Sequence, residues 1–221
     1  MRQSITDYQY PNSARTELIE FLPKQYQTVL EIGCGTGGFK QSLNHDIEIW
    51  GVEPNELASQ HAELKGYKVV TGYYNDVESQ CPDHYFDLII CNDVIEHMVV
   101  HEKILMDIQK KMKPNATLVG SIPNIKHYLV LFELLFKRDW NYKETGVLDK
   151  THLRFLTEKS LKRTFEECGF TVEKFVGING IKYWFTLKSI FKFLFFHLSF
   201  GLFKDTKYQQ FAFSIKPKVD S

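Results

Sequence analysis

The 221-residue sequence lacks the features that mark several large protein classes. It has no run of about eighteen apolar residues, so we expect no membrane-spanning helix. Its N-terminal segment, MRQSITDYQYPNS, has no apolar stretch of the kind that a signal peptide carries. Acidic and basic residues balance at 27 each, so the positive excess typical of a nucleic-acid binder is missing. We therefore expect a cytoplasmic protein without a nucleic-acid partner.

Cysteine is scarce and scattered. The four cysteines, at positions 34, 81, 91 and 168, form no CxxC pair. This favours reduced thiols over a disulfide framework or a zinc site. Apolar residues make up 43% of the chain, enough for a sizeable core. We expect one domain over 1–221, with an N-terminal helix at about 8–24 and an aromatic helical insertion at about 182–204.

Segments with strand and helix patterns alternate along the chain. Apolar residues at helical spacing predict helices over 55–65, 102–112 and 157–168. Predicted strands cover 28–32, 47–53, 67–71, 86–91, 116–122, 170–176 and 209–216. Strands that alternate with helices indicate a parallel sheet covered on both faces, and the short reversal before 209–216 predicts an antiparallel last strand.

The most informative segment is VLEIGCGTGG at 29–38. A short strand ends here in a glycine-rich loop that leads into a predicted helix at 38–43, a combination that suits a nucleoside ligand. Glu53, about 20 positions on, can bind ribose hydroxyls in a dinucleotide or in S-adenosylmethionine, so the glycines alone leave both ligands open. The negative charge of Glu31 favours the sulfonium of S-adenosylmethionine.

Three segments together resemble a known family: LEIGCGTG at 30–37, GVEPN at 51–55 and FDLIICNDVIEHM at 86–98. They are similar to the successive motifs of class I S-adenosylmethionine-dependent methyltransferases, in the ubiquinone-biosynthesis-like branch, over about residues 8–178. The resemblance implies a Rossmann-like, doubly wound α/β fold with seven strands in the order 3-2-1-4-5-7-6, strand 7 antiparallel. It also implies S-adenosylmethionine as the cofactor.

Matched by position, the resemblance implies a set of cofactor contacts. The methionine end would be held by Glu31, Gly33, Cys34, Gly35 and Gly37. The nucleoside would contact Glu53 with Pro54, and Tyr73 to Asn75 around the adenine, while Asn92 and Asp93 close the pocket. Arg15 stands where this branch often places a cation for the methionine carboxylate, although a solvated surface position explains it equally well.

A second resemblance concerns the acceptor. GVLDKTHLRFLT at 146–157 and SIPN at 121–124 are similar to methyltransferases of bacterial surface-polysaccharide gene clusters. They imply methylation of a sugar on a surface glycan or its nucleotide-linked precursor. The alternatives are a quinone-type O-methyltransferase, an amino-sugar N-methyltransferase, a cofactor-binding module without turnover, and an NAD-binding protein.

Two histidines, His97 and His152, are candidate bases for deprotonating an acceptor hydroxyl, with hydrogen-bonded structural histidines as the alternative. Small-RNA 2′-O-methyltransferases and ubiquinone-pathway O-methyltransferases resemble the chain here, and the likeness implies a divalent metal held by Asp93, Glu96, His97 and His152. Arg154 suits an acceptor diphosphate or carboxylate. Tyr128 and Trp140 could stack on a sugar, although core or lid packing is the usual role of such aromatics.

The segment 183–203 is rich in aromatic residues and too short to span a membrane. A helix this apolar must be buried, meet another subunit or lie in a membrane interface. The expectations are a lid or homodimer contact, or attachment to the inner face of the membrane.

Overall fold

The structure is a computed structural model that describes residues 14–180 and 203–218. Its centre is one seven-stranded sheet in the order β3-β2-β1-β4-β5-β7-β6. The strands are β1 Thr28–Ile32, β2 Glu48–Glu53, β3 Lys68–Thr71, β4 Phe86–Asn92, β5 Met112–Pro123, β6 Phe170–Gly180 and β7 Tyr208–Pro217. Strands β1 to β5 pair in parallel, whereas β7 runs antiparallel to β5 and β6. The predicted fold class and strand order are confirmed.

Helices cover both faces of the sheet. They are α1 Glu56–Leu64, α2 Tyr74–Val77, α3 His101–Lys111, α4 Tyr128–Phe132 and α5 Glu158–Glu167. Because side chains alternate along a strand, Val29 packs with α1 on one face while Leu30 packs with α3 and α5 on the other. Two apolar clusters therefore sandwich the sheet and fix its carboxyl edge, where β1, β2 and β4 all end.

Helix α5 shows how local sequence sets an element's bounds. Thr157 caps its N-terminus in a reciprocal pair with Ser160, and Gly169 ends it with a φ of +79°. Both roles follow the sequence prediction. Within residues 14–180 and 203–218, no helix has the length and apolar character needed to cross a membrane.

Two predicted helices differ in the structure. The described part of the N-terminal helix is a 3-10 helix, Thr16–Phe21, rather than an α-helix up to 24, and residues 8–13 lie outside the described part. The glycine loop leads into a four-residue 3-10 helix, Phe39–Ser42, instead of a longer α-helix. The following sequence, LNHD, favours turns because short polar side chains compete for backbone hydrogen bonds.

The strands and the remaining insertions differ less. β5 begins four residues before the predicted start, and β6 continues to Gly180. After β5 come α4 and then the π-helix Glu133–Lys137. The predicted aromatic insertion at 182–204 lies almost entirely outside the described residues, so its roles as lid, dimer contact or membrane contact stay predictions.

Candidate active site

The glycine loop fits closely between its neighbours. Gly33 and Gly37 have φ values of +72° and +71°, which L side chains rarely adopt. A Cβ on Gly33 would lie 2.7 Å from Val94, and one on Gly37 would lie 2.8 Å from the Tyr67 ring. The bare backbone therefore allows the loop to pack against both residues at the edge of the sheet.

The Cys34 side chain packs between the glycine loop and β2. Its side chain is buried, and its Sγ lies 2.5 Å from where a Cβ on Gly51 would stand. Burial raises the pKa of the Cys34 thiol, so it stays protonated. Because the thiol is buried and protonated, a ligand would contact the Cys34 backbone. The predicted cofactor contact of Cys34 is therefore limited to its backbone atoms.

Glu31 differs from its predicted role as a charged strand tip. Its side chain is 4% exposed and accepts a 2.6 Å hydrogen bond from the Tyr67 hydroxyl. Burial raises the pKa of Glu31 to about 8, against the lowering effect of that hydrogen bond. At neutral pH the carboxyl is therefore mostly protonated, and its full negative charge appears only when a cation or a higher pH stabilises it.

Glu53 ties the end of β2 to the glycine loop. One carboxylate oxygen accepts from the Gly35 N–H and the other from the Asn55 N–H, each at 2.9 Å. The side chain is only 1% exposed. Its carboxylate is thus fixed at the rim where a ribose would sit, although ribose binding by Glu53 and the neighbouring Pro54 stays a prediction.

The predicted adenine contacts lie at the next strand end. Tyr73 and Asn75 follow β3 and are exposed, Tyr73 by 58%. Gly72, with a φ of +149°, turns the chain there. Adenine binding by Tyr73 and Asn75 stays a prediction.

Asn92, the last residue of β4, carries an unusual polar group. Neither its amide nitrogen nor its amide oxygen has a hydrogen-bond partner among the described residues, although both atoms are buried. An unsatisfied buried amide is costly unless another molecule completes its hydrogen bonds. Asn92 therefore fits the predicted role of closing a ligand pocket.

Asp93 and Arg15 form an ion pair beside Asn92. The Arg15 Nη1 lies 2.6 Å from Asp93 Oδ2, and Arg15 Nη2 donates to the Ser121 hydroxyl at 3.0 Å. Asp93 Oδ1 accepts from the Ser121 hydroxyl at 2.9 Å and from the Gln210 amide at 2.8 Å. Arg15 thus lies at the sheet edge, which rules out the alternative of a solvated surface position.

Glu96, His97 and His152 form a compact cluster. One ligand atom from each residue can be chosen so that all lie within 4.8 Å of one another. Both Glu96 oxygens are buried with no hydrogen-bond partner among the described residues, and His152 Nε2 lies 3.9 Å from Glu96 Oε1. Asp93, the fourth predicted metal ligand, does not join the cluster because Arg15, Ser121 and Gln210 occupy its carboxylate.

Backbone carbonyls orient both imidazoles. His97 Nδ1 lies 3.2 Å from the Thr151 carbonyl, and His152 Nδ1 lies 3.1 Å from the Val147 carbonyl. A carbonyl only accepts, so each Nδ1 carries the proton and each Nε2 presents a lone pair. Burial lowers the pKa of His97, and the neighbouring His152 lowers it further. Burial raises the pKa of Glu96, and Asp93 raises it further. The cluster can accept a proton or bind a divalent cation.

The predicted acceptor contacts are Arg154, Trp140 and Tyr128. Arg154 donates from its guanidinium to the Val99 carbonyl, which places it beside the loop after β4. The Trp140 ring packs edge-on against Phe155 at 5.2 Å, and Phe155 lies 6.5 Å from His152. Tyr128 starts α4, and its N–H donates to the Thr206 carbonyl. Acceptor binding by these three residues stays a prediction.

Three residues of the site were not predicted from the sequence: Tyr67, Ser121 and Gln210. Each belongs to or borders a predicted strand, and its polar group reaches the site only because distant strands become neighbours. Pairing of β5 with β7 sets Ser121 opposite Ala212 and Pro123 opposite Gln210. A strand pattern indicates which residues share a face, but this pairing requires the topology.

Comparison with known proteins identifies the family of the chain. A methyltransferase domain family matches residues 6–174, well over half of the chain. The chain belongs to this family. Membership implies S-adenosylmethionine as the cofactor, so the alternative of an NAD-binding protein is wrong.

Individual relatives agree with this family. The chain is 29% identical to a ubiquinone biosynthesis O-methyltransferase from Actinobacillus pleuropneumoniae, over 47% of this chain and 49% of that protein. It is 24% identical to a malonyl-acyl-carrier-protein O-methyltransferase from Ilyobacter polytropus, over 70% of this chain and 60% of that protein. The chain thus spans about half to three-fifths of the first curated relatives it matches.

A solved structure matches the fold across nearly the whole chain. It is a SAM-dependent methyltransferase from Archaeoglobus fulgidus, with a TM-score of 0.66, 22% identity and 90% coverage of both chains. At this identity the likeness supports the fold and not a substrate.

Proposed function

We propose that this methyltransferase transfers the S-adenosylmethionine methyl group to a hydroxyl of its acceptor. The observation that carries the proposal is the Glu96–His97–His152 cluster at the carboxyl edge of the sheet, where ligands of open α/β folds bind. N-methylation of a free amine has no need for such a cluster, because the amine can attack without a metal or a dedicated base. An alcohol or phenol must lose its proton as the new bond forms.

Several features of the cofactor side support S-adenosylmethionine binding there. The unsatisfied Asn92 amide, the closely packed Gly33 and Gly37, and the fixed Glu53 carboxylate together form a polar cradle at three adjacent strand ends. In the proposal Glu53 binds the ribose, Tyr73 flanks the adenine, and the Arg15–Asp93 pair binds the amino-acid end. Methyl transfer then requires mainly that the acceptor oxygen be held about 3 Å from the methyl carbon.

The acceptor side fits a divalent cation such as Mg²⁺ or Mn²⁺. A carboxylate and two imidazoles with free Nε2 lone pairs are a donor set that such ions accept, and the unpartnered Glu96 oxygens fit a missing ligand. When bound, the cation would lower the pKa of an acceptor hydroxyl. Glu96, His97 and His152 would hold it, and the Thr151 and Val147 carbonyls would keep both imidazoles in the required tautomer.

The acceptor is proposed from the resemblance of one segment and from the relatives of the chain. The segment 146–157, which resembles polysaccharide-cluster methyltransferases, supplies His152 and packs Phe155 against Trp140. It supports a sugar of a surface glycan or of its nucleotide-linked precursor. The relatives named as ubiquinone O-methyltransferases favour the second candidate, a quinone-type phenol. Adjacent hydroxyls, present in sugars and catechols, would suit a chelating site in either case.

Chelation and acceptor panels test the proposal together. The protein should bind S-adenosylhomocysteine by calorimetry and methylate a nucleotide sugar or a catechol in a methyl-transfer assay. Activity should fall at least tenfold after exhaustive chelation and return with Mn²⁺. Activity that survives chelation would reject the metal and leave His97 or His152 as the base. Cofactor binding without turnover on any acceptor would favour a binding module.

A further inference from the structure

We propose that Ser121 and Gln210 are positioning residues that act through Asp93 to orient Arg15 toward the amino-acid end of the cofactor. The inference rests on the proposed function of the cofactor site. Gln210 belongs to no recognised motif of the sequence, and Ser121 begins the SIPN segment at 121–124, whose resemblance concerns the acceptor and not the cofactor. Both come from strands outside the glycine-loop half of the sheet, β5 and β7.

The first observation is how completely the Asp93 carboxylate is held. Ser121 and Gln210 both donate to Oδ1, at 2.9 and 2.8 Å, and this directs Oδ2 to Arg15 Nη1 at 2.6 Å. Asp93 itself has a φ of +54°, a left-handed conformation that non-glycine residues rarely adopt. Strained backbone of this kind persists where surrounding contacts define one arrangement.

The second observation is that the Gln210 amide is itself oriented. Asn179 Nδ2 donates to Gln210 Oε1 at 2.6 Å, so the Gln210 nitrogen must point the other way, toward Asp93. Pairing of β6 with β7 sets Ile178 opposite Gln210, which brings Asn179 within reach. A relay therefore runs from the edge strand β6 through Gln210 to the tip of β4.

The third observation concerns the plane of the Arg15 guanidinium. Its three nitrogens each make a contact: Nε with Glu17 at 2.7 Å, Nη1 with Asp93 and Nη2 with Ser121. A planar guanidinium held at three points has a defined direction, which is what bidentate recognition of a carboxylate requires. Val94, next to Asp93, packs on Gly33, so this pair lies beside the glycine loop.

The chemistry of the ligand matches the pair. The methionine end of the cofactor is a zwitterion with one carboxylate and one ammonium. Arg15 can bind the carboxylate and Asp93 the ammonium, provided that both keep their orientation. Without Gln210 or Ser121, the Asp93 carboxylate can rotate away from Arg15. Cofactor binding must then order this carboxylate, and the entropy lost in ordering it reduces the affinity.

The test compares two ligands that differ only at this end. S-adenosylhomocysteine carries the amino-acid group, and 5′-methylthioadenosine lacks it. Gln210→Met and Ser121→Ala should each weaken S-adenosylhomocysteine binding about tenfold by calorimetry and leave 5′-methylthioadenosine within twofold. Gln209→Met, an exposed neighbour on the same strand, is the matched control and should change neither.

A double-mutant cycle separates positioning from a general structural effect. In an Asp93→Asn background, Gln210→Met should weaken S-adenosylhomocysteine by less than twofold, because the residue through which it acts has already changed. An undiminished effect in that background, or equal losses for both ligands, would overturn the proposal. Failure of the unmodified protein to bind either ligand would instead overturn the proposed cofactor site.

Discussion

The cofactor side and the acceptor side of this methyltransferase are built in different ways. On the cofactor side, Glu31, Glu53 and Asn92 each lie at the end of a parallel strand, so the sheet fixes their positions. On the acceptor side, most candidate residues lie between β5 and α5, in a segment that includes exposed apolar residues such as Phe136 at 74%. The strand ends are set by the pairing of the sheet, whereas most of this segment lies outside the sheet. The difference explains why the cofactor follows from the motifs and the acceptor does not.

The largest effect is expected on the acceptor side. His152→Ala should lower kcat by about 10²- to 10⁴-fold, because the cluster loses a proton acceptor or metal ligand. S-adenosylhomocysteine affinity, measured by calorimetry, should stay within twofold. His127→Ala is the control, because His127 is also a partly buried histidine and lies outside the cluster. Burial lowers its pKa to about 4. Equal loss of turnover and cofactor binding would indicate a folding role for His152 and break the proposed division.

A smaller loss is expected on the cofactor side. Glu53→Ala should weaken S-adenosylhomocysteine binding by about 1–3 kcal/mol, roughly 5- to 150-fold, because charge-assisted hydrogen bonds to the ribose are lost. The variant also releases the N–H groups of Gly35 and Asn55. Glu56→Ala, on the exposed surface of α1, should leave the affinity unchanged. An unaltered affinity in Glu53→Ala would remove Glu53 from the cofactor site.

The pH dependence of stability should reveal the buried Glu31. Its folded pKa of about 8 exceeds its ordinary value of 4.5, so the folded protein holds the proton more tightly than the unfolded chain. The free energy of unfolding should therefore fall as pH rises from about 5 to 8, by up to about 1 kcal/mol per pH unit from this group.

Urea titrations at several pH values measure this dependence. Glu31→Gln cannot ionise, so its stability should change less over the same window. Tyr67→Phe, which removes the hydrogen bond to the carboxyl, should raise the folded pKa of Glu31 further and extend the fall to higher pH, with its onset near pH 5 unchanged. If Glu31→Gln kept the full slope, a different group would be responsible.

The smallest effect is expected at the aromatic residues around Phe155. Trp140→Ala should raise the acceptor KM by about three- to tenfold, because a stacking surface for the acceptor is lost. Cofactor affinity should not change. If Trp140→Ala weakened cofactor binding as much as acceptor binding, Trp140 would contact both ligands. The aromatic residues would then not belong to the acceptor side alone.

Much of the fold could be predicted because its signals are local. The strand Thr28–Ile32 and the Thr157 cap were predicted at their observed positions, since apolar patterning and capping depend only on neighbouring residues. The strand order came from the family resemblance. The short 3-10 helix after the glycine loop was missed because the glycine pattern indicates a turn but does not set the length of the helix that follows.

The candidate site was predicted in part for the same reason. Glu96, His97 and His152 lie together as predicted, but Asp93, which the family likeness grouped with them, does not join the cluster. Its carboxylate instead bonds with Ser121 and Gln210, 28 and 117 residues away along the chain. The burial of Glu31 and its hydrogen bond from Tyr67, 36 positions away, were likewise missed, because neither can be inferred from a motif.

The position of β7 has a consequence for how the chain acquires its structure. β6 is synthesised before β7, yet among the strands of the described residues it pairs only with β7, which joins it to β5. Until residues 208–217 leave the ribosome, β6 has no strand to pair with and the edge of β5 stays open to other chains. Closure of the sheet is thus one of the last folding events, and it delivers Gln210 to Asp93. A nascent chain that stalls before this strand would carry an assembled glycine loop beside an exposed, aggregation-prone edge.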